Sequence, residues 1–545
     1  MTNQTEEPTE PAPAPRDGVR SSSIVAAGIL SSRIVGLVRE AAFGAYFGTT
    51  EYADVFRAGL RMPNVLQVLL GEGTLSASFI PVYSELLHEG KKEEAGKTAG
   101  AIFGLLMLAA GVLSLIGILL APLLVTVLAP GFAGERRTLT IEVVRIIFPM
   151  TGTLVLSAWA LGILNSHRKF FLPYFAPVLW NVAIIATLVF FGRGMDLSDL
   201  VVALAWGALV GGFLQLLVQL PTVLKLERNL RISFSTRLAS VRDVLRNTGP
   251  TVMGRGVVQV SSYIDMFLAS LLAAGAVGII GYAQTLYILP VSLFGMSVAA
   301  AELPELARKR SSPVEELRLR ANSGLERIAF FVIPSFVAFI LLGDAIVAAL
   351  YQRGEFERQD TLLVYFTLAA FSIGLVASTG TRLFSSTFFA LRDTKTPARF
   401  AIIRVVVAAI LGMTLMIQFE PIPRLGIPAG IFSDVTLNGE TLGAVGLAAG
   451  SGVAAWIEWI LLRRRLKAAI GPVGAGGGKV ARMIVSALLG AAAGWGVRYL
   501  IDVDPLIDAI FIFGAYGIVY FAAASILGLP EAVAVRNRLK RIVRR

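Results

Sequence analysis

Residues 101–129 read AIFGLLMLAAGVLSLIGILLAPLLVTVLA, without a single charge. The hydrocarbon layer of a bilayer is about 30 Å thick and is crossed by roughly 20 helical residues, so a run of this kind is a membrane span. Similar runs recur to the far end of the chain, as in AIFIFGAYGIVYFAAASILGL at 509–529. Within lipid, backbone N–H and C=O groups must pair inside the protein, which leaves only helices or closed barrels. The period-two alternation of barrel strands is absent, so the chain reads as an all-α polytopic membrane protein. Composition agrees, with 55% hydrophobic and 16% charged residues over 545 positions. Soluble domains carry about 25% charged residues.

The apolar periodicity predicts fourteen spans, at 22–48, 53–87, 99–129, 138–165, 174–192, 199–224, 247–272, 277–306, 324–351, 361–390, 398–418, 441–462, 480–500 and 506–529. Residues 1–20, polar and Pro-rich, read as a disordered tail without the pattern of a cleaved signal peptide. Lys and Arg concentrate in the tail, the even-numbered loops and the C-terminal segment, which predicts both termini on the cytoplasmic side. The same bias accounts for most of the net charge of +12 without nucleic acid as a partner. The closing RNRLKRIVRR reads as an anchor facing anionic headgroups.

Span ends aside, eight basic residues lie inside the predicted spans, and all are arginine: Arg33, Arg39, Arg57, Arg61, Arg145, Arg255, Arg382 and Arg404. A charge at mid-bilayer costs about 2.5–3.5 kcal/mol on insertion scales, so its presence marks a polar cavity or an ion pair. Lysine would suffice for reaching headgroups. Arginine offers a planar fork of donors suited to phosphate. At 100° per residue, Ser32 and Arg39 share one face of the first span, with Arg33 and Glu40 on the adjacent one. Asp54, Arg57, Arg61 and Asn64 form a stripe on the second span, which Pro63 is expected to kink. Glu72 stands between Gly71 and Gly73 and needs a nearby cation. The turn LRDTKTP at 391–397 is expected to join two spans, with Asp393 in local ion pairs.

Catalysis finds little footing. The chain has no cysteine and two histidines, His88 and His167, both at predicted cytoplasmic helix ends. Neither a phosphate-binding loop nor a nucleophile–base spacing is present. No cofactor is expected, and the long external loop 419–440 offers Glu420, Asp434 and Glu440 without a compact pair. A weak internal echo links YADVFRAGLRMPNVL to GYAQTLYILPVSLFG, each with a mid-helix proline (Pro63, Pro290). Repeats of this kind mark transporters whose halves rock about a central site.

The opening SRIVGLVREAAFGAYFG…ADVFRAGLRMPNVL…GEGTLSASFIPVYSELL is similar to that of the MurJ (MviN) lipid II flippases. LAPGF (128–132), LNSHRKFFLPYFAPVLWN (164–181), GGFLQLLVQLP (211–221) and ALRDTKTP (390–397) extend the resemblance to about residue 465. It implies a MATE-like fold: two six-helix lobes around a central cavity (21–224 and 225–465), then a C-terminal helix pair with a basic tail (466–545). The implied cargo is lipid II, an undecaprenyl diphosphate bearing a disaccharide-pentapeptide, moved from the cytoplasmic to the outer leaflet of the bacterial inner membrane. Membrane lipids and the cell-wall synthesis machinery are the implied partners. Ser32, Arg33, Arg39, Glu40, Asp54, Arg61, Glu72 and Asn181 fall at family cavity or gate positions. This chain departs from the family pattern at Gln67 and Thr285, where arginine is usual, and Arg255 is expected to replace part of that charge. The family's sodium-type site has no match, because the eleventh span offers Arg404 where Asn or Asp is wanted. Two competing readings remain: a flippase for another polyprenyl-diphosphate glycan, and a multidrug antiporter of the same fold.

Overall fold

The structure is a computed structural model. It describes the backbone of residues 16–308, 314–500 and 503–543 and, within these, the side chains except those of 16–26, 250, 253–261, 304, 307–308, 535 and 538–543. The described chain is helical from end to end, with no β-strand and two isolated bridges, both in the 420–440 loop.

The first half holds α1 (Arg16–Phe47), α2 (Glu51–Arg61), α3 (Asn64–Leu70), α4 (Glu72–His88), α5 (Lys92–Leu119), α6 (Ala121–Leu128), α7 (Gly134–Ser166), α8 (Phe171–Phe175), α9 (Pro177–Phe191), α10 (Leu197–Leu217) and α11 (Leu220–Leu226). The second half holds α12 (Ala239–Ser270), α13 (Ala276–Pro290), α14 (Ser297–Arg308), α15 (Val314–Leu341), α16 (Gly343–Tyr351), α17 (Arg358–Ser372), α18 (Leu375–Ala390), α19 (Lys395–Phe419) and α20 (Gly443–Ile470). Then come α21 (Gly477–Leu500), α22 (Pro505–Ile526) and α23 (Pro530–Val543).

Among the described residues, eleven helical segments are long and apolar enough to cross a membrane, or twelve with the bent pair α17–α18 as one span. The two remaining segments of the expected fourteen are α1 and α12, each 32 residues long. At 1.5 Å per residue such a helix is about 48 Å long. α1 therefore outruns the hydrocarbon, and its first turns, from Arg16, take in residues expected to belong to the tail.

Proline and glycine set the breaks. The expected kink at Pro63 is a full interruption between α2 and α3, and Gly71 breaks the chain again before α4. Pro290 is followed by a π-helical turn at Val291–Met296, so both prolines of the internal echo deform their helices. Pro334 in α15 has no N–H to offer the Phe330 carbonyl one turn earlier. Tyr520 of α22 donates to that carbonyl at 2.5 Å, and Tyr516 donates to the Pro334 carbonyl at 2.7 Å. The C-terminal helices thus dock on a backbone group that proline left unpaired.

The join between α18 and α19 is a turn, but a shorter one than expected: Lys395, Thr396 and Pro397 already form the first turn of α19, where proline needs no N–H partner. Asp393 works differently from its forecast. Its carboxylate accepts the Lys395 and Thr396 amides at 3.1 and 2.9 Å, along with the Thr396 hydroxyl. It caps the N-terminus of α19, and these hydrogen bonds hold its carboxyl below the usual range.

Between the halves, residues 229–233 run extended along α5. The α5 surface there is a groove made by Gly96, Gly100 and Gly104, over which lie the backbones of Asn229, Arg231 and Ser233 in turn. The registers match: four helical residues advance about 6 Å and two extended residues about 6.6 Å. Ser233 N donates to the Gly100 carbonyl at 3.4 Å. A side chain at Gly100 would collide with Arg231 backbone atoms. The linker is pinned at both ends. Before it, buried Glu227 accepts from Tyr83 at 2.8 Å; after it, Ser240 bonds Thr98 at 2.7 Å.

Candidate functional site

A cavity of about 1060 Å³ opens between the two halves. α1 contributes Ser32, Arg33 and Arg39; α2 and α3 contribute Arg57, Arg61, Asn64 and Gln67; α4 begins with Glu72; α9 adds Asn181. From the second half come Asp265, Gln284, Thr285, Tyr287 and Arg404. Of the helical stripes read from sequence, Ser32, Arg33, Arg39, Arg57, Arg61 and Asn64 converge on one space. On α1, Ile34 and Val38 are exposed and do not line the cavity.

The arginines differ in what already holds them. Arg33 is exposed to the cavity, and no partner among the described residues engages it. Arg39 lies 4.8 Å over the Trp180 ring and pairs with its neighbour Glu40. Arg61 donates to Gln284 Oε1 at 2.9 Å, across the two halves. Arg57 is enclosed: it pairs with Glu40 at 2.9 Å and lies 4.2 Å over Tyr282 and 5.2 Å over Phe43. Each of these contacts offsets the loss of hydration for a cation in a low-dielectric setting.

Two of the expected site residues do not line the cavity. Glu40 is buried between Arg39 and Arg57 and orients both. Asp54 is fully buried at one end of the molecule. It accepts the Gly275 and Gly278 amides at 2.7 and 2.6 Å and pairs with Arg136 at 2.5 Å. Those amides belong to the N-terminus of α13, where unpaired N–H groups and the helix dipole favour an anion. A carboxylate from the first half thus caps a helix of the second. Gly275 adopts φ +90° and lets the Thr49 carbonyl approach where a side chain would stand.

Further contacts cluster around this cap. Tyr282 donates to the Gly48 carbonyl and Glu355 N to the Ala45 carbonyl, both at 2.9 Å. Thr49 bonds Asp360, and Gly131 N bonds Ser270 Oγ at 3.3 Å. Arg424 of the 420–440 loop reaches the Pro130 carbonyl. Together they join the two halves at the end predicted to face outward. The sequence reading missed Arg136, counted among loop cations; its one signal was that Asp54 required a partner. It also missed Trp180, Gln215 and Gln284, uncharged residues that carry no mark among so many apolar neighbours.

Gln67 and Thr285, where arginine is usual in the resembled family, both face the cavity. The Arg255 side chain lies outside the described residues. Asp265 interacts electrostatically with both Arg61 and Arg404, and Arg404 pairs with buried Glu458 at 3.2 Å. Among the described residues, no group of three His, Asp or Glu side chains stands close enough to hold a metal ion.

Comparison with known proteins gives a consistent result. The family model described as lipid II flippase MurJ matches residues 43–503. A probable lipid II flippase MurJ from Rhizobium tropici is 32% identical over 530 residues, covering 96% of this chain and 97% of its own. A lipid II flippase MurJ from Burkholderia cenocepacia is 33% identical over 404 residues, with coverage of 73% and 77%. Among solved structures, a lipid II flippase MurJ in an inward closed conformation superimposes with TM-score 0.72 at 23% identity, covering 92% of this chain and 98% of its own. An inward-facing multidrug resistance MATE family transporter follows at TM-score 0.62 and 20% identity, with coverage of 79% and 94%.

Proposed function

The chain belongs to the lipid II flippase MurJ family, and from that premise we propose that it moves lipid II across the bacterial cytoplasmic membrane by alternating access. The observation that carries this reading is one cavity lined by Arg33, Arg39, Arg57 and Arg61, with walls from helices of both halves. A diphosphate cannot enter hydrocarbon unpaired. Arginines that replace its hydration remove the barrier while the polyprenyl chain stays in lipid.

In this reading Arg33, Arg39 and Arg61 hold the diphosphate, with Ser32, Asn181 and Glu72 on the same wall. Glu40 keeps Arg39 and Arg57 in place. Asp54, Arg136 and the α13 N-terminus form the outer gate, closed here, which must part for release. Arg255 of α12 supplies charge that Gln67 and Thr285 do not. The lobes take 21–224 and 225–465 and the C-terminal pair 466–545, except that α11 and α20 run on to Leu226 and Ile470. Both termini face the cytoplasm, where most loop cations lie, and the cargo passes to wall-building enzymes outside.

The test is replacement. The endogenous lipid II flippase is depleted in a bacterium and this chain is supplied as the only substitute. Growth with lipid II arriving at the outer leaflet is expected. Lysis with lipid II held inside would reject the reading. A parallel assay with another polyprenyl-diphosphate glycan addresses the second reading, which Gln67 and Thr285 on the cavity wall motivate.

A further inference from the structure

Among the described residues, Arg404 is the one arginine that the second half of the chain contributes to the cavity. Its side chain is 35% exposed, whereas that of its partner Glu458 is 6% exposed. Nη1 donates to Glu458 Oε2, and no other hydrogen bond of this guanidinium forms among the described residues. An arginine has five donors, so most of them are unused among the described residues, and the group lines the cavity. Arg382 lies within electrostatic range of Arg404 and Glu458. Glu458 therefore fixes Arg404 without cancelling the positive charge around it.

This cation is separate from the α1–α2 group. Arg61 is held by Gln284 of α13, and Arg404 by Glu458 of α20. The two guanidinium groups thus have different partners on different helices, and Arg404, on α19, belongs to the other half of the chain. The cavity therefore offers two anion positions, one in each half. The cargo has two kinds of anionic group to match: a diphosphate at the anchor end of the headgroup and, on the peptide, a terminal carboxylate. Carboxylate and guanidinium pair in the same planar, two-pronged geometry as phosphate does.

We propose that Arg404 binds the peptide carboxylate of the cargo, so that the flippase reads the peptide end of the headgroup independently of the diphosphate. This assignment rests on the lipid II reading above.

The experiment measures binding and translocation of two lipids by the full chain reconstituted in vesicles. One lipid is lipid II; the other is the same polyprenyl-diphosphate disaccharide without its peptide. The unmutated protein is expected to favour lipid II, and Arg404→Gln to lower lipid II binding about tenfold while leaving the peptide-free lipid unchanged. That loss is the size expected for one hydrogen bond to a charged group. Because Arg404→Gln leaves Glu458 buried without its partner, Arg404→Gln/Glu458→Gln is measured alongside and must show the same selective loss. A third lipid with the terminal carboxylate amidated should behave with the unmutated protein as the peptide-free one does. Equal losses for both lipids, or none, would overturn the assignment and leave lipid II transport standing. Failure of the unmutated chain to bind either lipid would sink the flippase reading, and this assignment with it.

Discussion

Asp54 on α2 accepts the backbone N–H of Gly278, on α13, at 2.6 Å. One carboxylate therefore ties the two halves of the molecule together at the end of the cavity predicted to face outward. A capping bond of this kind breaks whenever the halves separate at this end, so in the proposed alternating-access cycle it would serve as a gate as well as a stabilising contact.

Asp54→Asn keeps the shape but removes the charge that both the α13 N-terminus and Arg136 require. Hydrogen bonds to charged groups contribute about 1.5–3 kcal/mol, so the sealed state should lose roughly ten- to a hundredfold in population. The chain has no native cysteine, and a cysteine placed at Ser32 reports on the cavity without background. Its labelling by an impermeant reagent added outside should rise in the Asp54→Asn variant. Unchanged labelling would exclude a gating role.

Arg33 and Arg57 both line the cavity, yet they should fail in opposite ways. Arg33 has open space before it, so Arg33→Ala should reduce lipid II binding at least tenfold with unaltered thermal stability. Arg57 is packed against Glu40, Phe43 and Tyr282, so Arg57→Ala should destabilise the fold by about 1–3 kcal/mol. Melting curves in detergent beside a binding assay separate the two, and the same phenotype from both variants would contradict the geometry.

The groove on α5 predicts a proteolytic result. Gly100→Val places a branched side chain where the Arg231 backbone lies, and overpacking of this kind costs about 1–3 kcal/mol. The linker should detach, and trypsin should cut after Arg231 and Arg237 roughly ten- to a hundredfold faster than in the unmutated chain. Cleavage at the original rate would mean the groove does not hold the linker.

His167 gives stability a dependence on pH. Tyr83 has one hydroxyl proton and donates it to Glu227, so the 3.0 Å contact with His167 Nε2 requires the proton on that nitrogen. Burial lowers the His167 pKa from its ordinary value; Glu227 opposes this and Lys92 adds to it. The unfolded chain therefore takes up the proton first, near pH 6.5. Stability falls as pH drops through that value and recovers above it, since the unfolded state binds more protons in this window. His167→Gln should flatten the difference in melting temperature between pH 5 and pH 8. An unchanged difference would place the titration elsewhere.

Much of this molecule is legible in one dimension. Apolar runs of 20 residues and more admit only helices in lipid, because no water is present to pair the backbone. Arginines spaced along α1 and α2 can be assigned to common faces by helical geometry alone, and Arg33, Arg39 and Arg61 do meet in one cavity. Pro63 marks the break between α2 and α3, since a residue without N–H cannot continue the ladder. Tertiary structure decided what each charge faces. Periodicity gives a direction around a helix axis, but the partner comes from another helix, so Asp54 with Arg136 and Gly278, or Arg404 with Glu458, appears only once helices distant in sequence pack together. The same holds for the linker in its glycine groove. Its sequence is polar and irregular, and its path was set by the shape of α5, a surface that no local pattern in residues 227–238 encodes.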